Sequence, residues 1–296
     1  MSPQTTGRTE ASRSSRLAAA MAFGSTVSVQ SGAAAATTLF DSVGALGAVF
    51  LRAVFGALLL LALARGSFAP ISGRFPRDVV LFGIAVAGAT LFFYAAISRL
   101  PLGIAVTLQF VGPLGVAVAG SRRRLDLLWV GLAAAGIVLL SGLSGDGIDA
   151  LGAAFALVAG GFWAAYIVLS ARVGANYRGF GAAAAAAVVS ALVLAPTGLA
   201  VGGAELLVPA HLAVGLAVGL FSSAVPYALE MEALRRLPKA TFGVLMSLEP
   251  AVAAAVGFVA LSQGLSATEA VGIALVVVAS AGALREAGAL PAPAID

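Results

Sequence analysis

The sequence predicts an all-α membrane protein of ten transmembrane helices, built as two inverted five-helix repeats. Three observations carry that prediction. Of 296 residues, 60% are hydrophobic and only 10% charged, with a mean hydropathy of +1.04, whereas a water-soluble fold carries roughly 25% charged residues. Apolar blocks of bilayer-crossing length, about 20 residues each, follow one another with brief polar breaks. Lys and Arg gather in alternate breaks, the mark of cytoplasmic loops.

The first block, Leu17 to Leu39, follows a polar stretch containing Arg8, Arg13 and Arg16. It is longer than the apolar region of a secretory signal and has no evident cleavage site, so it reads as a retained span. The second block runs from Gly44 to Ala64, the third from Val79 to Ile97, the fourth from Gly103 to Gly120 and the fifth from Leu127 to Leu143. The sixth covers Ala150 to Leu169, the seventh Phe180 to Ala200, the eighth Leu212 to Leu229, the ninth Ala240 to Leu261 and the tenth Ala270 to Leu284. Ten spans use about 200 positions, and the remainder serves nine connections and two tails, with no room for an extramembrane domain. The expected division is a cytoplasmic tail at 1–16, a first repeat at 17–145, a second at 146–284 and a cytoplasmic tail at 285–296.

With the N-terminus inside, the cytoplasmic segments hold Arg8, Arg13, Arg16, Arg65, Arg74, Arg77, Arg122, Arg123, Arg124, Arg172, Arg178, Arg235, Arg236, Lys239 and Arg285, which is 15 of the 17 basic residues. Arg99 alone falls outside, and Arg52 lies within the second span. Asp41, Asp146, Asp149, Glu205 and Glu269 also fall outside. A missed span would scramble this alternation. The pI near 10.1 therefore records topology, and scattered bases without a soluble basic face argue against nucleic acid. With zero cysteines and one histidine, disulfides, thiolate metal sites and histidine clusters are excluded, and no cofactor is implied. The chain lacks HExxH, P-loop and GxSxG patterns, which disfavours an enzyme.

The halves echo one another at a shift of 137 residues. Arg99-Leu100-Pro101 returns as Arg236-Leu237-Pro238, Ala96 as Ala233, Leu108 as Leu245, and mid-span Pro113 as Pro250. Five spans is an odd number, so the halves lie in opposite orientations. Inverted repeats are a transporter signature, with solute bound near the midplane and access alternating as one repeat rocks on the other. Each proline removes a backbone donor and frees a carbonyl one turn earlier, so both are read as helix kinks.

Few polar groups lie inside the spans, where an ionisable side chain costs roughly 2.5–3.5 kcal/mol on insertion scales. Glu249, about nine residues into the ninth span and just before Pro250, is the most deeply placed acid, and a carboxyl there can serve proton coupling. Arg52 can grip a carboxylate through two hydrogen bonds or pair with Glu249. Gln30 and Gln109 can hydrogen-bond a zwitterion or bridge helices. Tyr94, Trp163, Tyr166 and Tyr227 are either packing residues or contacts to a bound solute. Glu230 and Glu232 are expected to pair locally with Arg235 and Arg236, and His211 to lie at the interface. Gly160-Gly161 and the run Ala182 to Ala187 allow close helix approach.

The segment from Ser222 to Ala251, SSAVPYALEMEALRRLPKATFGVLMSLEPA, resembles the bacterial threonine/homoserine exporters of the EamA-type drug/metabolite transporter superfamily. Tyr94, Arg99 to Gly103, Gly112-Pro113, Ser121 to Arg123, and the span holding Gly160, Trp163 and Tyr166 are similar to the same family. The resemblance implies a ten-helix carrier of the bacterial inner membrane, with both termini cytoplasmic. Its implied activity is export of small neutral amino acids such as threonine and homoserine, by proton antiport. Its implied partners are those amino acids, protons and the lipid bilayer. Arg52, Tyr227, Glu230, Glu249 and the two prolines match the family pattern. Gln109 departs from it, standing where such exporters carry a carboxylate, as does Ser262-Gln263 in place of Gly-Glu; the first change leaves Glu249 with more of the proton-carrying role. The expected cavity is lined by the first, third, fourth, sixth, eighth and ninth spans. The competing readings are export of another metabolite or toxic compound, and a membrane protein without transport activity.

Overall fold

The computed structural model describes residues 3–64, 76–119, 125–140, 149–176, 181–237 and 239–287. Among the described residues the regular structure is entirely helical. In chain order the helices are α1 (Pro3–Thr37), α2 (Phe40–Leu63), α3 (Arg77–Ile97), α4 (Leu102–Gln109), α5 (Val111–Ala119), α6 (Leu125–Leu140), α7 (Ala150–Asn176), α8 (Gly181–Gly202), α9 (Pro209–Gly219), α10 (Val225–Arg236), α11 (Lys239–Met246), α12 (Glu249–Leu261) and α13 (Ala267–Ala287). Three pairs run end to end, α4 with α5, α9 with α10 and α11 with α12, so these helices form ten rods. Seven stretches are long and apolar enough to cross a membrane: Phe40–Leu63, Arg77–Ile97, Leu102–Ala119, Ala150–Val173, Gly181–Leu207, Pro209–Ala233 and Thr241–Leu261. Leu127–Leu140 and Ala267–Ala283 are shorter apolar helices.

The first helix begins well before the first apolar block, at Pro3. A helix needs no apolar side chains to continue its own hydrogen bonds, so the hydropathy boundary and the helix boundary differ. Of the residues that mark the cytoplasmic face, Arg65, Arg74, Arg122, Arg123, Arg124 and Arg178 lie outside the described residues, as do Asp146, Pro238 and the junction between the two expected repeats. The second rod bends at Gly44, whose φ of +71° is open to glycine and strained for other residues.

Apolar side chains cover the outside of the bundle. Leu58, Leu127, Leu192, Phe258 and Val259 are among the exposed ones, the surface expected against lipid. The inside is packed mainly by Ala, Val, Leu and Ile around Tyr94, including Ala34, Leu51, Leu102, Ile104 and Leu108. Small residues let the rods approach. Gly112 and Gly160 are the tightest case: a Cβ on Gly112 would stand 1.9 Å from the Gly160 carbonyl oxygen.

The rods pair in a regular way. Helix α2 packs on α8, α4 on α12, and α6 on α13, while α1 lies on α10 and α3 on α7. Two rods break at corresponding points. Helix α4 spans eight residues before the turn at Phe110, and α11 spans eight before the turn at Ser247 and Leu248. Pro113 and Pro250 each follow the break.

Candidate functional site

Polar side chains converge where α1, α2, α3, α10 and α12 meet. Their positions trace back to helix irregularities. Between α9 and α10 the chain makes a wide π-type turn over Leu220–Ala224. There the Val225 N–H reaches back five residues to the Leu220 carbonyl, which leaves the Phe221 carbonyl without its usual partner. Pro226 has no N–H to offer the carbonyl four residues earlier, that of Ser222. Neighbouring rods satisfy both: Ser28 Oγ donates to the Phe221 oxygen at 2.7 Å, and Arg52 Nη2 donates to the Ser222 oxygen at 3.2 Å. This local unwinding is the reason an arginine from α2 is held inside the bundle.

Arg52 also lies over the ring of Tyr94 from α3, with 5.8 Å from its guanidinium carbon to the ring centroid. Such cation–π contacts contribute about 0.5–2 kcal/mol, more as water is excluded. Tyr94 is fixed in turn by Phe40 and Phe93, each with a ring-centroid distance of 6.1 Å. Three atoms of this group, Arg52 Nε, Tyr94 Oη and Ser222 Oγ, are buried with no hydrogen-bond partner. A buried unsatisfied donor or acceptor costs about 1–3 kcal/mol, so a polar group brought to this place would offset that cost. A guanidinium beside two hydroxyls suits a carboxylate.

Glu249 is the first residue of α12, where free backbone N–H groups favour negative charge. Its Oε1 accepts a hydrogen bond from Gln30 Nε2 of α1 at 3.0 Å. Gln30 is buried, and its own Oε1 has no partner. Glu230 faces the same helix: its Oε1 accepts from Ser25 Oγ at 2.6 Å, and its carboxyl acts electrostatically on Glu249, Tyr166 and Tyr227. The expectation of local ion pairing is therefore correct for Glu232, which pairs with Arg235 and Arg236, and incorrect for Glu230. The two residues lie on different faces of α10, one toward α1 and the other toward water.

The remaining sequence candidates sit elsewhere on these walls. Trp163 stands edge-on to Phe110, with 5.2 Å between centroids, and Tyr166 lies against Phe82 at 5.1 Å. Tyr227 packs beside Leu60, Ala64 and Ala184. Gln109 is partly buried, and its backbone carbonyl, freed by Pro113 four residues on, lies against Gly160. His211 Nδ1 makes a 2.7 Å contact with the Glu205 carbonyl oxygen. Arg52 and Glu249 have separate partners, Ser222 with Tyr94 for the first and Gln30 for the second. Ser25, Ser28 and Ser222 were not legible as site residues, because serine is common in membrane helices and only the π-type turn gives Ser222 its place. Among the described residues no group of three or more His, Asp or Glu is placed to hold a metal.

At one end of the bundle the start of α4 is tied to two other elements. Gln263, just past α12, accepts from the Leu102 N–H at 2.9 Å, which caps one of the free donors at the α4 N-terminus. Arg99 pairs with Asp149 at 3.1 Å, and Asp149 also accepts from the Gly152 N–H at 2.6 Å. The Gly152 bond, followed by Arg99, holds the Asp149 carboxyl below its ordinary value.

A family model described as the EamA-like transporter family matches residues 150–285. The threonine/homoserine exporters RhtA of Salmonella typhimurium (strain LT2) and of Escherichia coli (strain K12) are each 41% identical to this chain over 261 residues, covering 86% of it and 87% of their own length. A crystal structure at 20% sequence identity superposes with a TM-score of 0.63, over 89% of this chain and 95% of that one, which shows a shared fold.

Proposed function

The chain belongs to the EamA-like transporter family, and from that membership we propose that it exports threonine, homoserine and related small neutral amino acids in exchange for protons. It is a multi-pass membrane protein, not an enzyme. Its place is the bacterial inner membrane, with both termini cytoplasmic and the ten rods crossing as two inverted halves. The matched helix breaks support the inverted arrangement: α4 and α11 have the same length, and each break precedes a proline at the 137-residue shift. The rod pairings support it too, since exchanging the halves turns the α1–α10 contact into that between α7 and α3.

The observation that carries the activity is the pairing of opposite chemistries along α1. Arg52, backed by Tyr94 and Ser222, offers a grip for a substrate carboxylate. Glu249, held by Gln30, offers a place for a proton or for the substrate ammonium. Competition between those two cations for one carboxyl would couple their opposite movements, the arithmetic of antiport. Gln109 leaves the α4–α5 rod without an acid in its middle, which concentrates this role on Glu249.

The test is flux into liposomes containing the purified protein. With a pH gradient imposed, labelled threonine or homoserine moves against the protons, and Glu249→Gln abolishes the gradient's effect while the protein still folds. Absence of gradient-driven flux for every amino acid tried overturns the proposal. Gradient-driven flux surviving in Glu249→Gln removes Glu249 as the coupling group.

A further inference from the structure

Among the described residues, Glu230 is a partly buried acid on α10 with no part in the exchange proposed for Arg52 and Glu249. Its position is specific. Ser25 and Gln30, both on α1, hold Glu230 and Glu249 respectively. Five residues at 1.5 Å each place these anchors about 7.5 Å apart along the helix. Glu230 is the carboxyl on the side of the chain start, and along α10 it lies two positions before Glu232 and about one and a half turns before the exposed Arg235 and Arg236. Among the described residues no cation lies at salt-bridge distance from it; the nearby arginines are engaged by Glu232. The ionisable groups near enough for its charge to act on them are Glu249 of α12, Tyr166 of α7 and Tyr227 on α10 itself.

A hydroxyl and an amide suit a carboxyl that changes its protonation. Ser25 Oγ can donate to a carboxylate or accept from a carboxylic acid, and Gln30 presents both an N–H and a carbonyl. Gln30 Oε1 is buried without a partner, beside Glu249. An unpaired acceptor next to a carboxyl calls for a donor, which a protonated carboxyl or a proton-bearing water supplies.

We infer that Glu230 is a second proton-carrying carboxyl, standing between the water-exposed end of α10 and Glu249, through which the proton bound at Glu249 is exchanged with solvent. The step balances as a transfer. The O–H bond at Glu249 breaks, the proton passes along hydrogen-bonded water to the Glu230 carboxylate, where a new O–H bond forms, and Glu230 releases it to solvent beside Glu232; the reverse order reloads Glu249. This inference rests on the proton-antiport reading.

The experiment uses the full-length protein in liposomes with a trapped pH dye, following protons moved per labelled threonine. Glu230→Gln is expected to lower that ratio more than tenfold, and Glu230→Asp to restore part of it. Glu230→Gln moving protons at the wild-type ratio overturns the inference and leaves antiport standing. Wild-type protein that moves threonine without protons removes the antiport reading and this one together. Should Glu230→Gln fail to fold, Ser25→Ala is read instead. It keeps the carboxyl and removes its donor, so the pH at half-maximal proton flux is expected to shift by at least about half a unit, and an unshifted profile counts against the role.

Discussion

Substituting Gly112 by alanine tests whether the contact between the α4–α5 rod and α7 is as close as the structure places it. The added Cβ would stand 1.9 Å from the Gly160 oxygen, 2.6 Å from its carbonyl carbon and 3.0 Å from its Cα. All three are backbone atoms, which cannot turn aside as a side chain could. Reaching an ordinary separation of about 3.2 Å requires the rods to part by about 1.3 Å, and overpacking of this kind costs roughly 1–3 kcal/mol. For a chain of this size that corresponds to a fall of roughly 2–5 °C in the unfolding midpoint. A shift of that size also moves the wall carrying Trp163, and misplacements of about 1 Å can cost 10²-fold in rate where geometry matters. Gly115→Ala supplies the comparison on the same helix: a Cβ there meets nothing within 4 Å, so reduced unfolded-state freedom should leave it neutral or up to about 1 kcal/mol more stable. Thermal unfolding of the purified protein in detergent, with threonine flux in liposomes, reads both variants. Equal stability and equal flux for the two would refute the close approach and the packing derived from it.

Arg52→Lys keeps the charge but loses the planar fork over Tyr94 and the reach to the Ser222 carbonyl; the apparent KM for threonine is expected to rise about tenfold, equivalent to about 1.4 kcal/mol, and an unchanged KM would make Arg52 structural. Gln263→Leu leaves the Leu102 N–H without its acceptor, and stability measured by thermal unfolding should fall by about 1 kcal/mol, as for other lost helix caps, with Gln263→Glu largely preserving it. Asp149 has its value lowered from an ordinary 3.8, by the Gly152 N–H first and Arg99 after it. Its contribution to stability is therefore fully present above that ordinary value and is lost as pH falls through the lowered one. The stability difference between wild type and Asp149→Asn should accordingly be flat from pH 5 to 7 and shrink only below about pH 4; a difference that changes near neutrality would contradict the assignment.

The sites of the two helix breaks could be read from the chain because proline acts locally. Pro113 and Pro250 cannot donate to a carbonyl one turn back, wherever they lie in the bundle. Glu249 was legible for a similar reason, since a carboxyl deep in an apolar span needs a partner whatever the fold. The partner's identity was not, because Gln30 lies 219 residues away in sequence. Glu230 shows the limit most plainly. It stands two positions from Glu232 and five from Arg235, so its sequence neighbourhood speaks for surface ion pairing, yet helix geometry turns it toward α1 and Ser25.

What the sequence determined by itself is what short-range chemistry and solvent impose: a membrane protein, the order and approximate limits of its helices, and the acids and amides that the apolar spans must account for. The tertiary structure decided which of those polar groups meet. Arg52 found Tyr94 and the Ser222 carbonyl, and Glu249 found Gln30, because a π-type turn shifted one helix register and small residues let distant rods touch. A hydrogen-bond partner inside a bundle is chosen by helix rotation and approach at the scale of an ångström, which no spacing along the chain encodes.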